Sequence, residues 1–241
     1  MAIRQLKTKY SGSKLGIWWA VITPLILAFS INFIFAKIFK INIQNYTLFV
    51  LSAIMPFMFF STTLSEATNS FLASSSILKQ GIFPRELIPL SCVLANFLAF
   101  FIGFLIILPL FLIFKAAVIR VMLFLFFPLI LQFIFIVGLS LMFSSWNVFY
   151  RDISHFLAIG LMIWFWITPI FYSLEMLPFP YRWICLLNPM SYYVNLYRQV
   201  LFEARVPSLL ILGISALISL TAFFTGYHVF LRQEPELLKR I

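Results

Sequence analysis

Apolar residues fill this chain in six long runs, separated by short polar or charged pieces. The runs cover residues 15–36, 46–72, 87–114, 121–146, 156–174 and 208–231. A helix rises 1.5 Å per residue, so roughly 20 mostly apolar residues cross the ~30 Å hydrocarbon layer of a bilayer. Each run is therefore expected to be a membrane-spanning helix.

Three stretches depart from this pattern. Residues 61–91, STTLSEATNSFLASSSILKQGIFPRELIPLS, form the most polar part of the chain, turn at Gly81 and Pro84, and enter the third run at Leu87. Thr62, Glu66 and Asn69 stand at i, i+4 and i+7, a polar stripe on one helical face. Residues 74–88 are expected to form a short helix outside the membrane, suited to contact with another protein; an ordinary loop with inward hydroxyls is the competing reading. Glu66, near the inner end of a span, is expected to face protein or water, because an unpaired carboxylate in lipid costs a few kcal/mol. In residues 175–207, Pro178–Pro180 and Asn188–Pro189 bound two amphipathic stretches too short and too charged to span, with Arg182 in the first. These read as re-entrant or interfacial helices on the outer side. In residues 1–14, Ile3, Leu6 and Tyr10 share a face, and Arg4, Lys7, Lys9 and Lys14 supply charge. That segment is expected to be an amphipathic helix on the membrane surface, or else a basic tail without fixed structure.

Composition agrees with a membrane setting. The chain is 63% hydrophobic and 10% charged, where a soluble domain is nearer half and a quarter. The expected fold is all-α and integral to the membrane, one domain over 1–241. Six spans put both termini on one side. Ten basic residues, including Arg4, Lys7, Lys9, Arg85 and Arg151, fall on that side and seven on the other. The bias, strongest at the N-terminus, points to cytoplasmic termini in a multi-pass cytoplasmic (inner) membrane protein. The net charge of +10 lies between the apolar runs, which suits contact with membrane lipids and not a nucleic-acid surface. Cys92 and Cys185 fall on opposite sides, so no disulfide is expected between them. The first run carries no small-residue cleavage pattern of the kind a signal peptide would show.

Catalytic signals are sparse. His155 and His228 lack ligand-spaced partners, and no metal site is expected. Gly12-Ser13-Lys14 lacks the upstream glycine and strand of a phosphate-binding loop. Aromatics are abundant instead. Phe57, Phe59, Phe60, Trp164, Trp166, Phe171 and Tyr172 cluster toward the outer halves of the second and fifth runs, and Tyr192, Tyr193 and Tyr197 follow. Such faces can stack on sugar C–H surfaces and would line a channel for a glycan. The competing reading is helix packing and lipid anchoring. In the link NVFYRDISH at 147–155, Asn147 or Asp152 is placed to cap a helix start.

Several segments, in order, resemble one known family: YSGSKLGIWWAVITPL at 10–25, SEATNSFLASSSILKQGIFPRELIPLSCVLANF at 65–97, NVFYRDISH at 147–155, TPIFY at 168–172 and LLNPMSYYVNLYR at 186–198. Together they resemble the permease subunit of type-2 ABC polysaccharide exporters, which move O-antigen, capsule or teichoic-acid chains. The resemblance implies a homodimer of six-span subunits with two separate ATP-binding-cassette ATPase subunits below it. ATP and Mg would bind those subunits, with no cofactor on this chain and no bond chemistry performed by it. It further implies an ATPase-coupling helix at 74–88 with Phe83, Pro84, Arg85 and Glu86, and a second contact at Arg151 and Asp152. Residues 175–207, with Pro178, Pro180, Arg182, Asn188 and Pro189, would form an outer gate. The cargo implied is a lipid-linked polysaccharide. A drug or lipid exporter of the same fold is an alternative, and an integral-membrane enzyme using Glu66, Asp152 and His155 is a more remote one. Family members carry a longer segment before the tyrosine matching Tyr10. The interface helix is therefore expected to be shortened, or the start assigned too late.

Overall fold

A computed structural model describes residues 1–74 and 84–240. Every regular element among them is helical. Helix α1 covers Ala2–Tyr10. A 3₁₀ turn, Gly16–Trp18, leads into α2, Trp19–Asn32, which ends in a π-helical turn at Phe33–Ile38. Helix α3 is Tyr46–Ala73 and α4 is Leu87–Phe114. Helix α5, Val118–Val121, continues through a 3₁₀ turn, Met122–Leu125, into α6, Phe126–Phe149. Then come α7, Ile153–Ile167, α8, Phe179–Leu187, α9, Pro189–Leu201, and α10, Leu209–Arg240.

Five helical runs are long and apolar enough to cross a membrane: Gly16–Ile38, Tyr46–Ala73, Leu87–Phe114, Val118–Phe149 and Leu209–Leu237. The fifth apolar run of the sequence differs. It was expected to span over 156–174, but α7 stops at Ile167 after 15 residues, about 22 Å of helix against ~30 Å of hydrocarbon. Residues 168–173 leave the helix, and α8 and α9 follow in place of a simple exit loop. The fourth run extends beyond its expected limits of 121–146, because α5 and the 3₁₀ turn add to its start.

Contacts sort the helix ends into two groups. Lys9 of α1 reaches Glu66 near the end of α3, Arg85 beside the start of α4 reaches Glu234 of α10, and Asn147 at the end of α6 reaches Thr68. Both chain termini therefore gather at one end of the bundle. At the opposite end, the Tyr46 hydroxyl donates to Phe171 O at 2.6 Å and Lys115 Nζ donates to Phe202 O.

Helix α3 is the spine, packed against α2, α4, α6, α7 and α9. Without water to drive apolar association, helices in lipid hold together by close fit and internal hydrogen bonds. Both are visible. Phe59 of α3 stacks on Phe100 of α4 at 4.8 Å, and Phe60 meets Trp164 of α7 edge-on at 5.0 Å. Gln132 of α6, wholly buried, donates to Pro56 O of α3 at 2.7 Å. The most extensive contact joins α6 to α10. There Gly138 and Gly226 face each other so closely that a Cβ on Gly226 would lie 1.9 Å from Gly138 O.

Candidate functional site

Two polar clusters stand out against the apolar bundle, one at each end. At the terminal end, α1 lies across α4 and sends Lys9 inward. Lys9 Nζ donates to Glu66 Oε1 at 2.7 Å and to Asn96 Oδ1 at 2.6 Å. Asn96 Nδ2 donates to the other Glu66 oxygen at 2.8 Å and to Cys92 O at 3.2 Å. Three helices thus share one closed triangle of charge and amide. Glu66 faces protein, and its partner comes from the basic helix. The rest of the stripe separates: Thr62 is exposed beside a cavity under α2, and Asn69 accepts from Asn147 Nδ2 at 3.3 Å.

Asn147 joins three elements. Its Nδ2 donates to Thr68 O at 3.1 Å, and its Oδ1 accepts the backbone N–H of Ser154, in the first turn of α7, at 3.2 Å. Asp152 holds the position before α7, yet its carboxylate makes no capping bond. Arg151 and Asp152 are both exposed at the turn.

The expected coupling helix at 74–88, Phe83 included, lies largely outside the described residues. Pro84, Arg85 and Glu86 lead into α4. Arg85 Nη1 donates to Glu234 O at 2.6 Å and lies 3.7 Å from the Glu234 carboxylate. Arg85 is therefore a tie to α10, and not simply a free surface charge.

The second cluster surrounds the break after α7. Leaving the helix at Thr168 strips backbone carbonyls of their partners, and such groups must be satisfied inside a bilayer. Arg198 of α9 does this: Nη2 donates to Pro169 O at 2.8 Å and to Ile170 O at 3.2 Å. Its guanidinium stacks 3.8 Å over the Phe49 ring, and the residue is 6% exposed. Asn188 Nδ2 donates to Thr168 Oγ1 at 2.9 Å. Its Oδ1 accepts from Met190 N, capping α9, and from Trp164 Nε1. Pro189 stands at the first position of α9, where its missing N–H is harmless.

Pro178 and Pro180 frame the start of α8. Arg182 Nε donates to Leu177 O at 2.9 Å and its Nη2 to Glu175 O at 3.0 Å, folding the approach onto the helix. Residues 168–201 thus form a hydrogen-bonded elbow with two short helices.

The aromatics expected to line a channel divide into two groups. Phe57, Phe59, Phe60, Phe171, Tyr193 and Tyr197 are 5% exposed or less and belong to the protomer's core. The lining expectation is corrected for these six. They interlock at helical spacing with partners such as Phe100, Phe135 and Phe165, and periodicity alone does not separate a packed face from a wet one. Trp166 is 60% exposed, and Trp164, Tyr172 and Tyr192 reach the surface in part. Tyr172 donates to Ile167 O at 3.1 Å and Tyr192 to Leu186 O at 2.8 Å, so both serve the elbow.

Sequence reasoning missed Lys9, Asn96 and Arg198 as site residues. Asn96 carried a signal, as an amide deep in an apolar run. Arg198 read as one more outer basic residue. Among the described residues no group of three His, Cys, Asp or Glu side chains is placed to hold a metal ion. Cys92 and Cys185 are buried free thiols.

The architecture has relatives. The model of the ABC-2 type transporter family matches residues 1–202. The chain is similar to two proteins named O-antigen export system permease protein RfbA from Klebsiella pneumoniae. One is 34% identical, covering 84% of this chain and 79% of the relative, and the other 33%, covering 82% and 76%. A protein of the same name from Myxococcus xanthus is 27% identical over 99% of this chain and 92% of its own. The family match takes in α1, the polar stripe and the whole elbow, and it makes this chain a member of the ABC-2 type transporter family.

Proposed function

We propose that this chain is the transmembrane subunit of an ATP-driven exporter that moves a lipid-linked polysaccharide of the O-antigen kind outward across the cytoplasmic membrane. The observation that carries the proposal is the similarity to O-antigen export permeases at 33–34% identity over more than four fifths of the chain. Among the described residues, the aromatic side chains at the centre of a single protomer are buried in its core, which argues against a polymer path through it. The channel therefore belongs between two copies, and closed twofold pairing is the usual arrangement. The exposed side of α7, with Phe156, Ile159, Met162, Ile163 and Trp166, offers an apolar wall for that purpose.

In this reading the terminal end of the bundle faces the cytoplasm, as the basic N-terminal segment favours. The sixth crossing is made jointly by α7 and the elbow, whose short helices α8 and α9 act as the outer gate. Two ATPase subunits bind below and hold ATP and Mg. Residues 74–88 and the Arg151–Asp152 turn receive their movement. Arg85 passes it to α10 through Glu234, and Asn147 passes it from the turn to α3 and α7.

The test is co-purification of the chain with its ATPase, followed by hydrolysis assays with and without lipid-linked glycan. A stoichiometric complex stimulated by the glycan is expected. A complex indifferent to glycan but stimulated by a drug or a lipid would replace the cargo, and failure of a well-folded chain to bind any ATPase would overturn the reading.

A further inference from the structure

We propose that the crevice beneath α1 is a binding site for an anionic membrane phospholipid, separate from any polymer path. Two cavities adjoin there. The larger one, about 680 Å³, lies between α1, α3 and α4 and is lined by Arg4, Gln5, Lys9, Ser70 and Ser91 among others. The smaller one, about 300 Å³, is lined by Trp19, Pro24, Met55, Met58 and Phe100. Lys9 and Asn96 belong to the walls of both. A polar mouth opening onto an apolar slot is the shape of a lipid: headgroup at the mouth, one acyl chain in the slot.

The mouth is chemically incomplete as it stands. The Gln5 Oε1 and Ser70 Oγ atoms are buried without a hydrogen-bond partner, and such atoms inside a structure call for a ligand or water. Lys9 uses two of its three N–H donors on Glu66 and Asn96. Arg4 has no carboxylate at ion-pair distance among the described residues. Glu66 cancels the charge of Lys9, which leaves Arg4 as an uncompensated cation at the mouth. A phosphodiester supplies a negative charge for Arg4 and acceptor oxygens for Lys9 and Ser70, whereas the Gln5 Oε1 acceptor needs a donor, which a headgroup hydroxyl such as that of phosphatidylglycerol supplies. Helix α1 presents Ile3, 65% exposed, on its outside, as a helix bedded in the headgroup layer would.

The occupant is a bulk anionic phospholipid, with phosphatidylglycerol as the probe. The full-length chain, purified in mild detergent and equilibrated with equal phosphatidylglycerol and phosphatidylcholine, is examined by native mass spectrometry for retained lipid. The wild type is expected to retain phosphatidylglycerol in preference. Arg4→Gln should weaken retention about fivefold, the effect of one interfacial basic residue, and Ala73→Trp should block it by filling the mouth from its exposed rim. Lys7→Gln removes the same charge from an exposed position on the same helix that does not line the cavity, and it should leave retention unchanged. Equal loss in the Lys7 and Arg4 variants would reduce the effect to surface charge and overturn the site. Equal retention of both lipids, or Arg4→Gln binding like wild type, would also overturn it. Displacement by an equal mole fraction of a polyprenyl monophosphate would show a carrier-lipid site and overturn the assignment to bulk phospholipid. None of these outcomes depends on transport or ATP hydrolysis, so the site and the export reading stand or fall separately.

Discussion

Gly226→Ala should destabilise the bundle more than its single methyl group suggests. The added Cβ would lie 1.9 Å from Gly138 O, 2.6 Å from Gly138 C and 3.0 Å from Gly138 Cα. All three are backbone atoms of α6, so no side chain can turn aside. Restoring an ordinary contact of at least 3.4 Å requires α6 and α10 to separate along their most extensive interface. Overpacking of this kind costs about 1–3 kcal/mol, and the helix preference of Ala over Gly returns less than about 1 kcal/mol. The control is Gly213→Ala in the same helix, where nothing lies within 4 Å of the new Cβ. That change should be neutral or stabilising by up to about 1 kcal/mol. Thermal unfolding of both variants in the same detergent measures the contrast. Gly226→Ala is expected to melt several degrees below wild type and Gly213→Ala at or above it. Equal midpoints would refute the close approach of α6 and α10.

Two further outcomes follow from the polar clusters. Arg198→Lys should not rescue Arg198→Met, because only the planar guanidinium can lie flat on Phe49 while one of its nitrogens serves both carbonyls. Both variants should lose export and become sensitive to protease near residues 168–178, and a fully active lysine variant would contradict this. Arg85→Glu should lower export with little loss of inserted protein. Adding Glu234→Arg should recover only part, since the stronger bond at 2.6 Å goes to the Glu234 main-chain oxygen; complete recovery would place the whole effect in the side-chain pair.

Much of the fold was legible from hydropathy, because a span must satisfy its own backbone and shield it with apolar side chains whatever its neighbours are. The helices α2, α3, α4, α6 and α10 fall where the long runs were read. The short α7 was not legible. Pro24, Pro56 and Pro109 sit inside unbroken helices, whereas the run containing Pro169 breaks. The difference is the partner. Arg198, 29 residues further on, holds the Pro169 carbonyl after the helix has ended.

The candidate sites divide in the same way. The i, i+4, i+7 spacing put Thr62, Glu66 and Asn69 on one face, and a carboxylate near the end of a span demanded a partner. Spacing did not say that the partner would be Lys9, 57 residues earlier, or that Asn147 would take Asn69. Aromatic density was equally visible, but its meaning was not: a ring that packs on Phe100 and a ring that faces a lumen have the same place in a 3.6-residue period. The sequence by itself determined an all-helical membrane protein, with its charged segments and breaks in known places. That outcome depends on local composition alone. Only the tertiary structure decided which rings are core, which carbonyls are exposed and which charges meet, because those depend on contacts between residues far apart in the chain.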